Sequence, residues 1–308
     1  MNSHYIGSGP YCYANSLAMI LGAEGPDPSA IEVLTGSPFG FQLYQGRLPW
    51  FDPLGWDPGV GLDAAISLLG WTCTLTSGGT EIEAVERLRE ASHRGPVLVG
   101  PLEMGLLRHQ PGMTRAIGAD HFVVVLGVAD GVVTFHDPHG HPFATLPVAD
   151  FLASWGPNYF GYPAEPYTMR TEFHREYRVD VLQAMREALP SARRWLTGAN
   201  VESLSGAAAA SRLAELVEAG LDSEIREHLV NFAIRVGARR LADAAVWLGR
   251  IGSDQAADVL ASQARLVGGL QLPMVLDDPA AAAAILRELA PTYPRLDEAL
   301  SAEARVSD

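Results

Sequence analysis

The residues best suited to chemistry in this sequence are a cysteine at the start of a helical pattern and a histidine and an aspartate at the ends of strand-like runs. In GPYCYANSLAMILG, Gly9 and Pro10 form a loop, and Cys12 stands where Asn15, Ser16, Leu17, Ile20 and Leu21 begin a helical pattern. A thiol at a helix N-terminus meets unpaired N–H groups and the positive end of the macrodipole, and both favour thiolate over thiol. The thiolate is the nucleophilic form, and the same N–H groups can receive the oxyanion of a tetrahedral intermediate. The competing reading of a lone thiol is a small buried hydrophobe. Cys73, in the alternating run LLGWTCTLTSGG with no helix after it, takes that second reading.

A thiolate nucleophile needs a base, and the base needs an orienting group. His121 opens HFVVVLG, while His136 and Asp137 close VVTFHDP. Between them Asp130-Gly131, flanked by β-branched runs, is a strong hairpin signal. In such a hairpin the start of one strand lies beside the end of the next. His121 therefore comes within reach of Asp137, which can hold the imidazole tautomer. Singly, His121 reads as an edge histidine and Asp137 as a turn aspartate before Pro138; together with Cys12 they read as nucleophile, base and orienter. Asp120 is a rival orienter, but its adjacency to His121 makes pairing awkward.

HDPHGHP invites a metal reading through His136, Asp137, His139 and His141. Metal ligands must share a face, whereas strand alternation sends His136 and Asp137 to opposite faces. The expectation is therefore no metal and no cofactor.

The elements that carry these residues set the fold class. PVLVGPL (96–102) is a compact strand-like run, the 121–138 segment reads as two strands, and Leu146–Trp155 reads as a short helix. From about Arg170 onward, segments such as SGAAAASRLAELVEAGL and DQAADVLASQARLVGGL place apolar residues at helical spacing, with Gly or Pro between most of them. Pro157, Pro163 and Pro166 mark a boundary. The expected architecture is α+β, with a catalytic domain over 1–166 and an all-helical domain over 167–308.

Bulk properties narrow the function classes. A chain of 308 residues, about half of them apolar, accommodates one large domain or two ordinary ones. The net charge of −14 argues against nucleic acid as a partner, since phosphate binding needs a surplus of Lys and Arg. Two cysteines cannot make a disulfide framework, and no Cys/His spacing suggests structural zinc. The N-terminus lacks the basic start of a signal peptide and no stretch reads as long enough to span a bilayer, so a cytoplasmic protein is expected.

The order Cys, then His plus an apolar strand, then Asp-Pro is similar to that of papain-like folds, including bacteriocin-processing cysteine peptidases. GPYCYANSLAMILG, IEVLTGSPFGFQL, GPVLVGPLEM, DHFVVVLGVADGVVTFHDP and LPVADFLASW, in that order over roughly residues 5–160, resemble the butirosin biosynthesis protein H family, named for its N-terminal domain. The helical remainder is similar to the domain commonly joined to it. The resemblance implies a papain-like catalytic domain and an acyltransferase of specialised, natural-product biosynthesis. Such an enzyme takes an acyl group from an acyl carrier protein or other thioester and passes it to a small-molecule amine. It also implies roles: Cys12 carries the acyl group, His121 is base and acid, and Asp137 orients His121. Two departures stand out. Tyr11 occupies the place where the family often has His, and the papain-type oxyanion Gln is missing, with Asn2, Ser3 and His4 the polar residues upstream.

Asn15, Phe41 and Trp50 are the candidates to contact substrate, the latter two from the aromatic and Gly-rich stretch 39–54, where core packing is the competing reading for most aromatics. The Arg-bearing region 170–194 is either a carrier-protein surface or a solvated face. The same triad also serves a thioesterase, a cyclase or a peptidase, and a non-catalytic binding protein could retain the fold.

Overall fold

A computed structural model describes residues 10–157, 159–198 and 204–304. The chain divides into two units, Met1–Pro28 with Gly70–Arg178, and Ser29–Leu69 with Val179–Asp308. Both are discontinuous in sequence, which departs from the contiguous 1–166 and 167–308 expected from the proline cluster.

The first unit is α+β. Its elements in chain order are α1 (Cys12–Leu21), β1 (Trp71–Thr76), α2 (Glu81–Arg94), β2 (Val97–Glu103), β3 (Asp120–Ala129), β4 (Val132–Asp137), β5 (His141–Pro147), α3 (Val148–Trp155) and β6 (Met169–Arg175). The strands form one antiparallel sheet in the order β1-β6-β2-β3-β4-β5. Strand β6 sits between β1 and β2, so the first unit extends past the expected boundary, and the helical reading does not begin at Arg170. The expected helix at Leu146 starts instead at Val148, because Leu146 and Pro147 finish a strand paired to Val133 and Val132.

One core joins α2 and α3 to the sheet through Leu88, Val97, Val99, Val123, Phe135, Phe151 and Trp155, all essentially inaccessible. Each such side chain contributes roughly 1.5–3 kcal/mol of burial. α2 starts with a capping box in which Thr80 and Glu83 satisfy each other's backbone N–H groups. The β3–β4 turn has Asp130 and Gly131 both at positive φ, 51° and 76°, the backbone a tight hairpin of right-handed strands requires.

The second unit is dominated by helices, including Val181–Thr197, Gly206–Ala219, Ile234–Arg250, Asp254–Gly269, Pro279–Leu289 and Thr292–Ala304. Segment 29–69 belongs here for two reasons. Its strands Gln42–Tyr44 and Leu48–Trp50 form a three-stranded sheet with Leu204–Ser205. Its carboxylates are also bound from a helix: Arg240 meets buried Glu32 at 2.7 Å and Asp52 at 3.3 Å. Phe41 is fully buried, its ring stacked on those of Phe51 and Tyr293.

The run Asp254–Leu276 has the length and apolarity of a membrane span, contrary to the expectation that no stretch does. It is two helices in the fold, broken near Leu270, and it buries Gln263 along with Val259, Leu260 and Val267.

Candidate active site

Cys12 is the first residue of α1 and is half-buried. The preceding carbonyl, that of Tyr11, accepts from the Asn15 N–H at 2.8 Å and from Asn15 Nδ2 at 2.8 Å. Asn15 is thereby buried and turned back on the helix start, where it fixes the approach to Cys12 instead of presenting its amide outward. Ser16 Oγ donates to the Phe122 carbonyl at 3.1 Å, and the Tyr13 ring meets the Phe122 ring edge-on. Both contacts pin α1 to the residue that follows His121. The upstream residues Asn2, Ser3 and His4, weighed as oxyanion donors, lie outside the described residues.

His121 and Asp137 are brought onto one face of the sheet by an irregularity in the hairpin. Near the turn, Gly127 pairs with Thr134 and Val128 with Val133; beyond it, Val125 pairs with Phe135 and Val124 with His136. Leu126 is the extra residue, a β-bulge. In the shifted register Asp137 falls opposite Val123, two residues from His121 and therefore on the same face. Without the bulge Asp137 would fall opposite Val124, and the two side chains would point to opposite faces.

The resulting cluster is tightly bonded. His121 Nε2 donates to Asp137 Oδ1 at 2.7 Å, and the backbone N–H of His139 donates to the same oxygen at 2.7 Å. Asp137 Oδ2 accepts from His109 Nε2 and Gln110 Nε2, each at 2.7 Å. A carboxylate can only accept, so the Nε2 proton of His121 is fixed in place. That leaves Nδ1 for Cys12, whose side chain hydrogen-bonds with His121.

The electrostatics follow from these contacts. Burial works against a charged His121, but the adjacent Asp137 carboxylate, its hydrogen bond and Cys12 outweigh it and raise the imidazole to about 10. Burial likewise opposes ionisation of Asp137, yet the His121 charge and the hydrogen bonds from His109, His121 and the His139 backbone hold it well below the usual carboxylate range. Near neutral pH the ring is an imidazolium that offers one N–H to Asp137 and the other to the sulfur.

His109 and Gln110 were not anticipated from sequence. They lie on the loop between β2 and β3, which is closed at its base by fully buried Glu103. That carboxylate accepts from the N–H groups of Gly105 (3.0 Å), Ile117 (2.8 Å) and Gly118 (2.9 Å). At Gly105 a β-carbon would sit 2.1 Å from the Arg115 carbonyl oxygen, so the loop closes this tightly only around glycine. The polar pair in RHQPG was the available signal, but nothing in its spacing points to Asp137.

The other residues weighed from sequence go elsewhere. Asp120 Oδ2 accepts from the Tyr162 hydroxyl at 2.9 Å. His136 Nδ1 accepts from the Phe143 N–H at 3.1 Å, while the His139 and His141 rings lie beside His121 and His109 respectively. Among the described residues no group of three or more His, Cys, Asp or Glu has the arrangement of a metal site. Phe41 and Trp50 belong to the other unit: Phe41 is in its core, and Trp50 packs against His228 and Phe232.

Comparison with known proteins adds a relation but no activity. Residues 200–301 match the profile of the YobF C-terminal domain. The uncharacterized protein YobF of Bacillus subtilis (strain 168) is 32% identical over 154 residues, which is 49% of this chain and 50% of that protein. The chain thus spans about half the length of the curated relative it matches.

Proposed function

We propose that this chain is a cysteine-dependent acyltransferase with a papain-like catalytic unit. In this reading Cys12 takes an acyl group from a thioester and passes it to an amine. The observation that carries it is the unbroken hydrogen-bonded sequence from Cys12 through His121 to Asp137. Nucleophile, base and orienter stand in their working order, with the sulfur at a helix N-terminus.

In the loading half, the Cys12 thiolate attacks the thioester carbonyl. The tetrahedral intermediate collapses with cleavage of the donor C–S bond, and the departing thiolate takes a proton from His121. Orphan N–H groups at the start of α1 face the oxyanion. In the transfer half, the amine attacks the acyl-Cys12 carbonyl and gives a proton to the now neutral His121. Cleavage of the C–S bond then returns the Cys12 thiolate and releases the amide. Asp137 holds the ring in one tautomer throughout and stabilises its charged form.

The similarity of the motifs over roughly residues 5–160 to the butirosin biosynthesis protein H family supports transfer over hydrolysis. It suggests an acyl carrier protein as donor, a small-molecule amine as acceptor, and a natural-product pathway as the setting.

Intact-mass analysis after incubation with a panel of acyl thioesters tests the reading. The expected result is an adduct of one acyl group on the wild-type chain and none on Cys12→Ala. An undiminished adduct in that variant would overturn the assignment. Adduct decay with the same half-life with and without amines would turn it toward a thioesterase.

A further inference from the structure

We propose that His109 is a positioning residue of this site, donating its Nε2–H to Asp137 so that the carboxylate keeps a fixed rotation and a fixed oxygen toward His121. The inference rests on the acyl-transfer reading above and adds a residue to it.

A carboxylate held on one oxygen alone can rotate about its Cβ–Cγ bond and present either oxygen to a neighbour. Here both oxygens are committed: Oδ1 to His121 and the His139 backbone, Oδ2 to His109 and Gln110. Rotation would break all four bonds at once. His109 is the aromatic member of the Oδ2 pair, and its ring is itself held. It meets the Phe135 ring edge-on at 4.9 Å between centroids and the His141 ring at 5.3 Å.

The other nitrogen of His109, Nδ1, is buried and has no hydrogen-bond partner among the described residues. A buried polar atom without a partner costs free energy. A histidine retained for packing alone would do better as an apolar ring. The contact that offsets the cost is the one to Asp137, a charge-assisted bond of the stronger kind. The loop supplying it is fastened by Glu103 at both ends, so the donor arrives on a rigid mount.

His109→Gln and His109→Met separate this role from bulk packing, because the two side chains are close in size and differ in having an N–H donor. The readout is the rate of Cys12 alkylation by iodoacetamide on the full chain between about pH 5 and 9, with Cys12→Ala giving the background from Cys73. Losing one bond to a charged group predicts labelling roughly ten- to a hundredfold slower for His109→Met on the acid side of the profile. The deficit closes toward alkaline pH, and His109→Gln stays within about threefold of wild type on the same scale. His109→Leu replaces the Met variant should that one fail to fold. Superimposable profiles for the Gln and Met variants would overturn the proposal. So would equal slowing in both with unchanged thermal unfolding. If wild type itself shows no fast acid-side labelling, the reading of the site fails, and that outcome is visible before any His109 variant is compared.

Discussion

Each unit of the molecule buries a cluster of charged groups, and the two clusters end differently. In the helical unit Arg240 is enclosed by Glu32, Asp52 and the Phe51 carbonyl, and Asp52 is further held by Gln42. In the sheet unit Asp137 collects its donors and passes the effect through His121 to the half-buried Cys12. The first closes on groups of its own unit; the second ends on a half-buried thiol. Their effects on proton affinity also diverge. Burial raises Asp52 despite Arg240, whereas Asp137 is held low despite its burial. Under the acyl-transfer reading the sheet cluster serves chemistry because its chain of partners ends at Cys12, whereas the Arg240 cluster ends on itself.

Three experiments press on that contrast, beginning with the largest effect. Asp137→Asn replaces an acceptor by an amide that can turn a donor toward His121, so the ring loses its fixed tautomer. Alkylation of Cys12 near neutral pH should fall by roughly 10²- to 10⁴-fold. A rate within a few-fold of wild type would place Asp137 with the structural clusters.

In the helical unit, Arg240→Met should leave two buried carboxylates without their cation. The expected loss is roughly 3–5 kcal/mol of stability in urea unfolding. The labelling rate of Cys12 in the folded fraction should be unchanged. A parallel fall in that rate would dissolve the distinction between the clusters.

The third test is the pH dependence of stability. His121 is raised from 6.5 to about 10 in the folded chain, so its contribution is complete below about 6.5 and is lost as pH rises through about 10. Asp137 is depressed below 3.8, so its contribution is present above that value and lost as pH falls further. Asp52 is shifted the other way, and its ionisation above 3.8 costs stability. Urea midpoints should decline from near-neutral to alkaline pH, and His121→Gln should flatten that decline. An unaltered alkaline slope in the variant would remove His121 from the account.

Much of the site was legible in the sequence because its signals are local. The helix start at Cys12 and the Asp130-Gly131 turn each depend on a few adjacent residues, and together they bring Cys12, His121 and Asp137 into one neighbourhood. Less was legible where distant segments decide. The bulge at Leu126 leaves no composition signal, yet it determines whether His121 and Asp137 share a face. His109 and Gln110 reach Asp137 from 27 or 28 residues away on a loop closed by Glu103. Strand β6 resembled the beginning of the helical region until its pairing on both sides was visible. Phe41 and Trp50 stand out as substrate candidates in a stretch whose aromatics mostly read as core, and spacing alone does not separate the two. The grouping of 29–69 with the helices turns on Arg240, nearly two hundred residues away from Asp52 and more from Glu32.

The odd residue at 126 makes the pairing of His121 with Asp137 depend on counting as well as on composition. Lengthening the hairpin at its tip would leave His121 and Asp137 facing each other, since both arms grow together. Adding or removing one residue along a single arm would turn His121 and Asp137 to opposite faces with both side chains still in the chain. A variant could thus carry Cys12, His121 and Asp137 and lack the hydrogen-bonded row they form.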